Sequence, residues 1–374
     1  MALNILVPSE NLEGENRVAL SPDGASLLIK KGFSVNVQSD AGLKAGFTNE
    51  AYEKVGCKIG IDLAFADIIL GVNPPELNQI ESFPKDKVWI GTLSPHNNTD
   101  HVDALAKAGV SAFALDYVPR ISRAQKMDVL SSQANLAGYK SVLLGANRMK
   151  KIFPLMMTAA GTITPAKVLI FGAGVAGLQA IATAKRLGAV VEVTDVRPET
   201  KEQVESLGGR FITVDAEGSE TEGGYAKEVS KEFLEKQKAL VAEKIKDSDL
   251  VITTALVFGK KAPVLISEDM VMSMKTGSVI VDMAVSQGGN CALSKNGEEI
   301  VVNGVTIIGE PNLPSLLATN ASDLYGKNVA ALILHLVNEE KINFDTTEEI
   351  IGGSLITHQG EIVNPKLLEL LNQK

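Results

Sequence analysis

The sequence predicts an α/β fold of two doubly wound domains with mostly parallel sheets, and three observations support this prediction. Short apolar runs alternate with stretches of helical period, as is typical of parallel strands joined by helical crossovers. A polar stretch between residues 119 and 165 interrupts this alternation and divides it into two series. Of the 374 residues, 45% are hydrophobic, only 5% are aromatic and 33 are glycine, a mixture that favours an α/β protein over a β-sandwich.

The first series of elements lies before residue 119. The runs predicted as strands are Asn4–Val7, Ser34–Gln38, Ile68–Val72, Val88–Leu93 and Ser111–Val118. The stretches predicted as helices are Pro22–Lys31, Asn49–Val55, Asp62–Ala66 and Asp100–Ala108. The last two begin with Asp, which is a favoured N-cap residue. Together these elements predict one α/β domain.

The polar segment Pro119–Gln125 then breaks the pattern, and a long helix is predicted from about Ser132 to Lys151. Its apolar residues share one face, and Pro154 and Gly161 close it. A long helix that follows a polar loop is a plausible bridge, so we predict that it joins the two domains.

The second series begins at Lys167. The predicted strands are Lys167–Phe171, Ala189–Val196, Arg210–Val214, Leu250–Thr254, Ser278–Asp282 and Thr306–Gly309. The predicted helices are Val175–Leu187, Glu199–Leu207, Lys227–Lys246 and Ser267–Met274. A last helix, from about Asp323 to Leu336, has no nearby strand partner, so we expect the tail to return to the first domain. The predicted domains are therefore residues 1–131 plus 320–374, and residues 132–319.

A dinucleotide-binding fingerprint opens the second series. Gly172-Ala173-Gly174-Val175-Ala176-Gly177 has the pattern GxGxxG, directly after an apolar strand and at the start of an Ala/Leu-rich helix. Gly172 allows a tight turn, Gly174 lets the backbone approach a pyrophosphate, and Gly177 lets helix and strand pack closely. The helix N-terminus offers N–H donors to the phosphates. This context predicts a Rossmann-like domain with a bound dinucleotide.

The residues at the end of the next strand indicate which dinucleotide is bound. Asp195 lies 18 residues after Gly177 and can accept two hydrogen bonds from an adenosine ribose. Its charge would repel a 2′-phosphate, which favours NAD(H). The neighbouring Val196 and Arg197 complete the cofactor site, and an Arg at this place can also accommodate a 2′-phosphate. We weigh the strand-end Asp above the Arg. The cofactor-cleft positions after strand Leu250–Thr254 are Ala255 and Leu256.

Composition excludes several other classes of protein. The 36 Lys and Arg against 45 Asp and Glu give a net charge of −9, which argues against nucleic-acid binding. Cys57 and Cys291 show no metal-like spacing and are expected to be free thiols, and no metal site is expected. Only four histidines are available for metal or triad chemistry. The segment Met1–Pro8 lacks a basic region and predicts a strand, not a signal peptide, and no run is long enough to span a membrane.

Several segments make the sequence recognisable. They are Gly14–Pro22, Pro119–Gln133, Asn135–Tyr139, Met156–Thr162, Gly177–Ala189, Thr200–Gly209 and Asp282–Cys291. On these segments the chain resembles, over nearly its whole length, the NAD(H)-binding alpha component of proton-translocating nicotinamide nucleotide transhydrogenase. The wider family includes alanine dehydrogenase. The resemblance implies that the cofactor lies in the cleft between the two domains.

The resemblance also implies the residues that contact the nicotinamide end of NAD(H). The family's Arg, Gln, Asp and Ser match Arg120, Gln125, Asp128 and Ser131. This assignment is chemically reasonable, because Gln and Ser can hydrogen-bond the carboxamide and Arg can hold a phosphate or ribose. Asp128 could orient Arg120 or a ribose hydroxyl.

A glycine-rich segment is expected to close over the nucleotide. In the family this region is a mobile loop with a Tyr, and the match is Tyr225 in the segment Gly218–Ala226. Gly223 and Gly224 would allow the loop to swing. Without the resemblance, the segment would be interpreted as an ordinary surface loop.

An alanine dehydrogenase-like activity is the first alternative. That reaction uses a Lys and a His near two strand ends of the first domain, and here these positions fall at Asn73 and Pro95. His96 lies one place away, and Arg17 matches an Arg that the dehydrogenase uses for its substrate. Because one group is missing and the other is displaced, amino-acid oxidation is disfavoured. A non-catalytic NAD sensor is the second alternative, but it has no need for the Arg120–Ser131 segment.

Direct hydride transfer between two nicotinamide rings fits better, since neither ring carbon gains or loses a proton and no general acid or base is needed. The resemblance implies that NADP(H) lies on a partner subunit, with proton translocation coupled in the complex. It further implies a homodimer. No membrane span follows the last residues, so we expect the divided form of the enzyme, in which this cytoplasmic chain is attached to the membrane through partner subunits.

Overall fold

The computed structural model describes residues 2–60, 62–213, 231–256 and 261–372. The chain divides into two compact units. The first unit consists of Met1–Gln133 and Pro314–Lys374, and the second unit is Ala134–Leu313. Among the described residues, no helix combines the length and the apolar character that crossing a membrane requires.

The described residues between 2 and 148 form six strands and five helices. The strands are β1 (Asn4–Val7), β2 (Ser34–Val37), β3 (Lys58–Ile59), β4 (Ile68–Leu70), β5 (Val88–Gly91) and β6 (Ser111–Ala114). The helices are α1 (Pro22–Ile29), α2 (Asn49–Lys54), α3 (Leu77–Glu81), α4 (Thr99–Lys107) and α5 (Val129–Arg148). Short 3-10 helices lie at Leu43–Ala45, Leu115–Tyr117 and Ser122–Met127.

Residues 149–313 continue the series. The strands are β7 (Met156–Thr158), β8 (Gly161–Ile163), β9 (Lys167–Phe171), β10 (Val190–Thr194), β11 (Arg210–Phe211), β12 (Leu250–Thr253), β13 (Val279–Asp282), β14 (Glu299–Val302) and β15 (Val305–Ile308). The helices are α6 (Val175–Arg186), α7 (Lys201–Ser206), α8 (Lys231–Asp247) and α9 (Glu268–Met272).

The last segment of the chain belongs to the first unit. Its strands are β16 (Val337–Asn338), β17 (Lys341–Ile342), β18 (Leu355–His358) and β19 (Glu361–Ile362). Its helices are α10 (Ala318–Leu336), α11 (Glu349–Ser354) and α12 (Pro365–Asn372). Helix α10 packs against α1, where Gly24 and Gly326 allow close approach: a Cβ on Gly24 would lie 3.4 Å from the Gly326 carbonyl.

The first unit contains an eight-stranded sheet in the order β19-β18-β6-β5-β4-β1-β2-β3. Strands β1 to β6 pair in parallel, and β18 pairs antiparallel with β6. Alternate side chains enter separate cores on the two faces: Ile5 and Ile68 lie in one, and Leu6 and Trp89 in the other. This alternation explains why the strands are continuous apolar runs, since both faces of a parallel sheet are covered.

The second unit contains a seven-stranded sheet in the order β11-β10-β9-β12-β13-β15-β14. All neighbours pair in parallel except the edge strand β14. The chain order reverses between β9 and β12, which is the switch point at which doubly wound sheets bind ligands at the carboxyl ends of their strands. The predicted fold class, two α/β domains with mostly parallel sheets, is confirmed.

Some predicted elements were wrong. Asp62–Ala66 is not helical: the Asp62 carboxylate accepts a hydrogen bond from Ala64 N at 3.1 Å, and a turn replaces the helix. The Asp therefore serves the turn instead of an N-cap. Strand β14 and the tail strands were missed because they are short and partly exposed, so they lack an apolar run.

Candidate functional site

The fingerprint turn in the second unit depends on glycine at Gly172. Strand β9 ends at Phe171, and Gly172 has φ = +100°. A Cβ on this residue would collide with the Thr254 hydroxyl, which itself donates to Phe171 O at 3.0 Å. Both the backbone conformation and the space exclude a larger residue here. The turn is therefore fixed by the strand next to β9.

The other two glycines serve the start of α6. A Cβ on Gly177 would collide with the carbonyl of Gly172, so helix and turn touch through backbone alone. Gly174 is the N-cap of α6, makes no side-chain cap bond, and has open space where its Cβ would lie. The first-turn N–H groups beside Val175 are thus available to an anion, as a pyrophosphate site requires.

A further glycine brings α5 against the same turn. A Cβ on Gly138, which lies in the second unit's portion of α5, would collide with the carbonyl of Ala176. Helix α5 therefore supports the fingerprint helix at its first turn. Sequence reasoning placed Gly138 in a recognised segment but gave it no role; a small residue inside a long apolar helix was the available signal.

Asp195 lies after β10, within hydrogen-bond distance of the turn. Its Oδ2 accepts from Ala173 N at 2.6 Å, and Arg197 donates to Oδ1 and Oδ2 from Nε and Nη2 at 3.0 and 2.9 Å. The Asp195 side chain is only 5% exposed, whereas that of Arg197 is 52% exposed. Burial opposes ionisation, but the hydrogen bonds from Arg197 and Ala173 outweigh it and lower the pKa of Asp195. The carboxylate is therefore charged at neutral pH.

Three other predicted cofactor positions lie at strand ends in this unit. Val196 follows Asp195 and is 87% exposed, and Leu256 is half exposed. Ala255 is held at both backbone groups by the buried side chain of Asn290: Ala255 N donates to Oδ1 at 3.1 Å, and Nδ2 donates to Ala255 O at 2.9 Å. The backbone after β12 is thus fixed.

Asn290 is in turn fixed by a buried carboxylate. Asp282, at the end of β13, is fully buried and accepts from the N–H groups of Asn290 and Cys291, both at 2.9 Å. It also accepts from Thr253 Oγ1 and Ala284 N, both at 3.0 Å. Four donors satisfy the charge without a cation. The sequence identified this segment by resemblance only, and its structural role was missed.

Gln237 of α8 is another residue that sequence reasoning missed. Its Nε2 donates to Thr194 Oγ1 at 2.8 Å and lies 3.3 Å from Ile212 O. The amide is therefore beside the residue that precedes Asp195. A single Gln in a charged helix carries no signal in the sequence.

The predicted nicotinamide contacts lie in the first unit, between β6 and α5. Arg120 and Gln125 are exposed, and Gln125 belongs to the 3-10 helix Ser122–Met127. The structure brings Asp128 and Ser131 together: Asp128 Oδ1 accepts from Ser131 N at 2.8 Å, and Oδ2 accepts from the Ser131 hydroxyl at 2.6 Å. Asp128 thus caps the first turn of α5, and these hydrogen bonds link it to Ser131, not to Arg120.

The positions that an alanine dehydrogenase would use form an internally satisfied network in the first unit. Arg17 donates from Nε and Nη2 to both carboxylate oxygens of Glu15, at 2.8 and 2.7 Å, and from Nη1 to Gln133 at 3.0 Å. The Asn73 amide donates to Glu10 and Glu15, at 3.1 and 3.0 Å. Neutral Asn73 therefore occupies the place of the expected cation.

The two carboxyl groups of this network titrate in opposite directions. Burial would raise the pKa of Glu15, but the Arg17 guanidinium outweighs burial and lowers it to about 2. Glu10 has no such cation, so burial raises its pKa against the hydrogen bonds from Val72 and Asn73. Glu15 thus supplies the negative charge that Arg17 needs.

The displaced histidine lies beside a tyrosine. The ring centroids of His96 and Tyr117 are 6.1 Å apart, and His96 Nδ1 lies 3.4 Å from the Tyr117 hydroxyl. Nearby, Asp116 accepts from the backbone N–H groups of Leu93 and Ser94 at 2.9 Å, and burial raises its pKa. Pro95 supplies no titratable group.

The remaining predictions concern the loop tyrosine, the cysteines and metal binding. Tyr225 and Gly224, with the predicted loop Gly218–Ala226, lie outside the described residues. Cys57 and Cys291 are buried free thiols. Within the described ranges, no group of three His, Cys, Asp or Glu side chains is placed to hold a metal ion.

Comparison with known proteins relates the chain to nicotinamide-nucleotide enzymes. Two family models match: "Alanine dehydrogenase/PNT, N-terminal domain" over residues 6–137, and "Alanine dehydrogenase/PNT, C-terminal domain" over residues 141–365. The chain is 47% identical to the first of the polypeptides that make up NAD(P) transhydrogenase subunit alpha of Rhodospirillum rubrum, covering 98% of this chain and 99% of the relative. It is 32% identical to alanine dehydrogenase of Bacillus subtilis, covering 76% and 71%.

The solved structures agree with this comparison. The crystal structure of transhydrogenase from Sinorhizobium meliloti matches with a TM-score of 0.90 and 43% identity, covering 96% of this chain and all of that one. A structure of L-alanine dehydrogenase matches with a TM-score of 0.83 and 25% identity, covering 99% of each chain.

Proposed function

Because this chain belongs to the alanine dehydrogenase/transhydrogenase family, we propose that it is the NAD(H)-binding subunit of a proton-translocating transhydrogenase. In this role it holds NADH for direct hydride transfer to NADP+ on a partner subunit. One observation carries the choice between the two activities of the family: the dinucleotide turn is fully formed, while Asn73 and Pro95 replace the Lys and His of amino-acid oxidation.

The second unit provides a site that fits the adenosine half of NAD(H). Gly174 leaves open space at the N-terminus of α6, where the first-turn N–H groups can bind the pyrophosphate. Asp195 is ionised and can accept hydrogen bonds from both ribose hydroxyls. Its charge disfavours a 2′-phosphate, so NAD(H) is preferred over NADP(H).

Arg197 modulates this preference. It is held by Asp195 in a bidentate pair, so its charge is already partly neutralised by the carboxylate. In this arrangement Arg197 stabilises the ionised Asp195 and leaves the ribose-binding carboxylate in control of selectivity. Val196, Ala255 and Leu256 complete the apolar lining of the cofactor site.

The first unit provides the groups for the nicotinamide half. Gln125 and Ser131 hydrogen-bond the carboxamide, and Arg120 holds a phosphate or ribose hydroxyl. Asp128 keeps the Ser131 hydroxyl in one orientation through its 2.6 Å hydrogen bond. Tyr225 and Gly224 belong to the segment that closes over the cofactor.

The chemistry asks little of the protein beyond this orientation. When bound, NADH supplies a hydride from C4 of its nicotinamide ring. The residues of this chain need only hold the ring against the partner's nicotinamide and exclude water, because no proton is added or removed at either ring carbon. The absence of a matched Lys and His is therefore no handicap.

The proposal extends to the assembly. NADP(H) binds to a partner subunit, further subunits span the membrane, and this chain is attached to them on the cytoplasmic side as a homodimer. The hairpin β7–β8 supports a protein contact: its residue Met157 is 77% exposed, and Leu155, Met156 and Ile163 are exposed beside it.

Titration and reconstitution test the proposal. The purified chain should quench or enhance NADH fluorescence at lower concentration than NADPH fluorescence, and should catalyse no transhydrogenation alone. Addition of the NADP(H)-binding and membrane-spanning subunits should restore transfer from NADH to NADP+. Reduction of pyruvate with ammonia and NADH by the chain alone would instead establish an alanine dehydrogenase.

A mutation of Gln125 separates an enzyme from a sensor. A subunit that works in hydride transfer should lose rate in Gln125→Ala while keeping most of its NADH affinity, because the adenosine contacts remain. A sensor that binds NAD(H) and signals would be indifferent to this residue in the reconstituted assay.

A further inference from the structure

The segment that carries the proposed nicotinamide contacts is bracketed by one buried side chain. Asn328 of α10 donates from Nδ2 to Lys126 O at 2.8 Å and accepts at Oδ1 from the Ser132 hydroxyl at 2.8 Å. The Lys126 carbonyl can only accept, which fixes the orientation of the amide. Asn328 is 8% exposed, so both hydrogen bonds are shielded from water.

The backbone between these two points is anchored by apolar residues. Ala124, Met127 and Val129 are buried in the same core as Val329 and Ala330, the residues that follow Asn328 in α10. Burial of these three residues leaves the polar residues between them at the surface of the unit. The segment is thus pressed onto α10 by its apolar side chains, and its register is set by the amide of Asn328.

Asn328 does not touch the proposed contact residues but holds both sides of them. Asp128 and Ser131 lie between Lys126 and Ser132, and they are joined to each other by two hydrogen bonds. Without Asn328, the pair would remain intact, but the two ends of its segment would lose a shared fixed point. The Ser132 hydroxyl would retain Val129 O, at 3.2 Å, as its acceptor.

We propose that Asn328 is a positioning residue for hydride transfer, which sets the place of Gln125, Asp128 and Ser131 by fixing the backbone at Lys126 and the side chain of Ser132. This inference rests on the proposed function. Misplacement of a reacting group by about 1 Å can cost about a hundredfold in rate. A shift of the segment should therefore reduce the rate more than the affinity, since the adenosine half of NAD(H) binds elsewhere.

The test compares three variants in the reconstituted complex and in the isolated full chain. Asn328→Ala removes both hydrogen bonds, and Ser132→Ala removes one of them. Thr319→Val is the matched control, because Thr319 lies in the same helix and donates to a backbone carbonyl, that of Ala45 at 2.7 Å, away from the segment. The measurements are kcat and KM for NADH in the complex, and Kd for NADH in the isolated chain.

The expected results separate rate from binding. Asn328→Ala should lower kcat by about tenfold or more while Kd for NADH stays within about threefold of the unmodified chain. Ser132→Ala should lower kcat by about threefold, and Thr319→Val should leave it unchanged. A folded Asn328→Ala variant with unchanged kcat, or one whose Kd weakens as much as its kcat falls, would overturn the proposal.

Two further outcomes are decisive. If Asn328→Ala does not fold, Ser132→Ala decides: an unchanged kcat for this variant rejects the positioning role. If the unmodified complex transfers no hydride, the proposed function fails, and the role of Asn328 fails with it. An active unmodified complex with indifferent variants rejects the positioning role alone.

Discussion

The selectivity of the cofactor site depends on one side chain, Asp195. We expect Asp195→Asn to weaken NADH binding by about tenfold, because hydrogen bonds to a charged group are worth about 1.5–3 kcal/mol. The Kd for NADPH should change less, since the repulsion of its 2′-phosphate is lost as well. Fluorescence titration with both nucleotides measures the ratio. Asp247→Asn is the control, because Asp247 is an exposed, ion-paired Asp in the same unit.

If Asp195→Asn leaves the preference for NADH over NADPH unchanged, the assignment of selectivity to this carboxylate is wrong. An increased preference for NADH would contradict it as well.

Glu15 predicts a second effect, on stability. Its pKa in the folded chain is about 2, below the ordinary 4.5, so the ionised carboxylate stabilises the fold above about pH 4.5 and this contribution is lost as the pH falls toward 2. The shift corresponds to about 3 kcal/mol. Glu15→Gln should therefore reduce the loss of unfolding free energy between about pH 5 and about pH 2, measured by urea unfolding.

Glu10 is the internal control for this measurement, because burial raises its pKa and reverses the sign. Its contribution falls as the pH rises through the ordinary value. Glu10→Gln should thus make unfolding free energy rise more steeply with pH. Equal effects of the two substitutions would contradict the network described for Arg17.

At the residue scale, the sequence could predict positions but not partners. Gly172 and Asp195 were identified because strand, turn and helix signals surround them. The hydrogen bonds of Gln237, Asn290 and Asn328 connect residues distant along the chain, and no local pattern reports such bonds. For the same reason, the pairing of Asp128 with Ser131, rather than with Arg120, emerged only from the structure.

Among the elements, helix α5 and helix α6 are joined at Gly138. A Cβ at this position would collide with the Ala176 carbonyl, which a rigid helix cannot move without shifting the phosphate-binding turn. We expect Gly138→Ala to weaken NADH binding by about tenfold, as for the loss of a charged hydrogen bond. Isothermal titration of the isolated chain measures this.

Gly145→Ala provides the matched control in the same helix. Its Cβ would meet the methyl end of Leu250, a side chain that can change rotamer. NADH affinity should remain within about threefold of the unmodified chain. A Gly138→Ala variant that binds NADH as tightly as Gly145→Ala would show that α5 does not support the turn.

The elements themselves were predicted well where apolar runs are long and buried. Strands β1 and β9 have the predicted bounds, Asn4–Val7 and Lys167–Phe171, because both faces of these strands are covered. The predicted helix Asp62–Ala66 failed because Asp favours turns as well as N-caps. Strand β14 was missed because every second residue faces solvent at the edge of the sheet.

At the scale of the whole molecule, a strand order that reverses between β9 and β12 brings the fingerprint, Asp195 and Ala255 to the same edge of one sheet. The sequence could predict this because the order of strands and helices along the chain allows few topologies. Resemblance, not pattern, supplied the roles of Arg120 to Ser131, since a polar loop is ordinarily a solvated connection.

The scarcity of histidine, four in 374 residues, also has a meaning at this scale. Arg17 is neutralised by Glu15, and neutral Asn73 stands where amino-acid oxidation needs a cation. The first unit thus retains the framework of a dehydrogenase site without its proton-transferring groups. This combination suits a protein that orients a nicotinamide ring for a partner.

The central claim is that a hydride passes directly from NADH on this chain to NADP+ on the partner. The most direct test uses NADH fully deuterated at C4, with the reconstituted complex in ordinary water, and mass spectrometry of the NADPH formed. The account predicts one deuterium in every NADPH molecule and none lost to solvent. NADPH that carries hydrogen from water at C4 would contradict direct transfer.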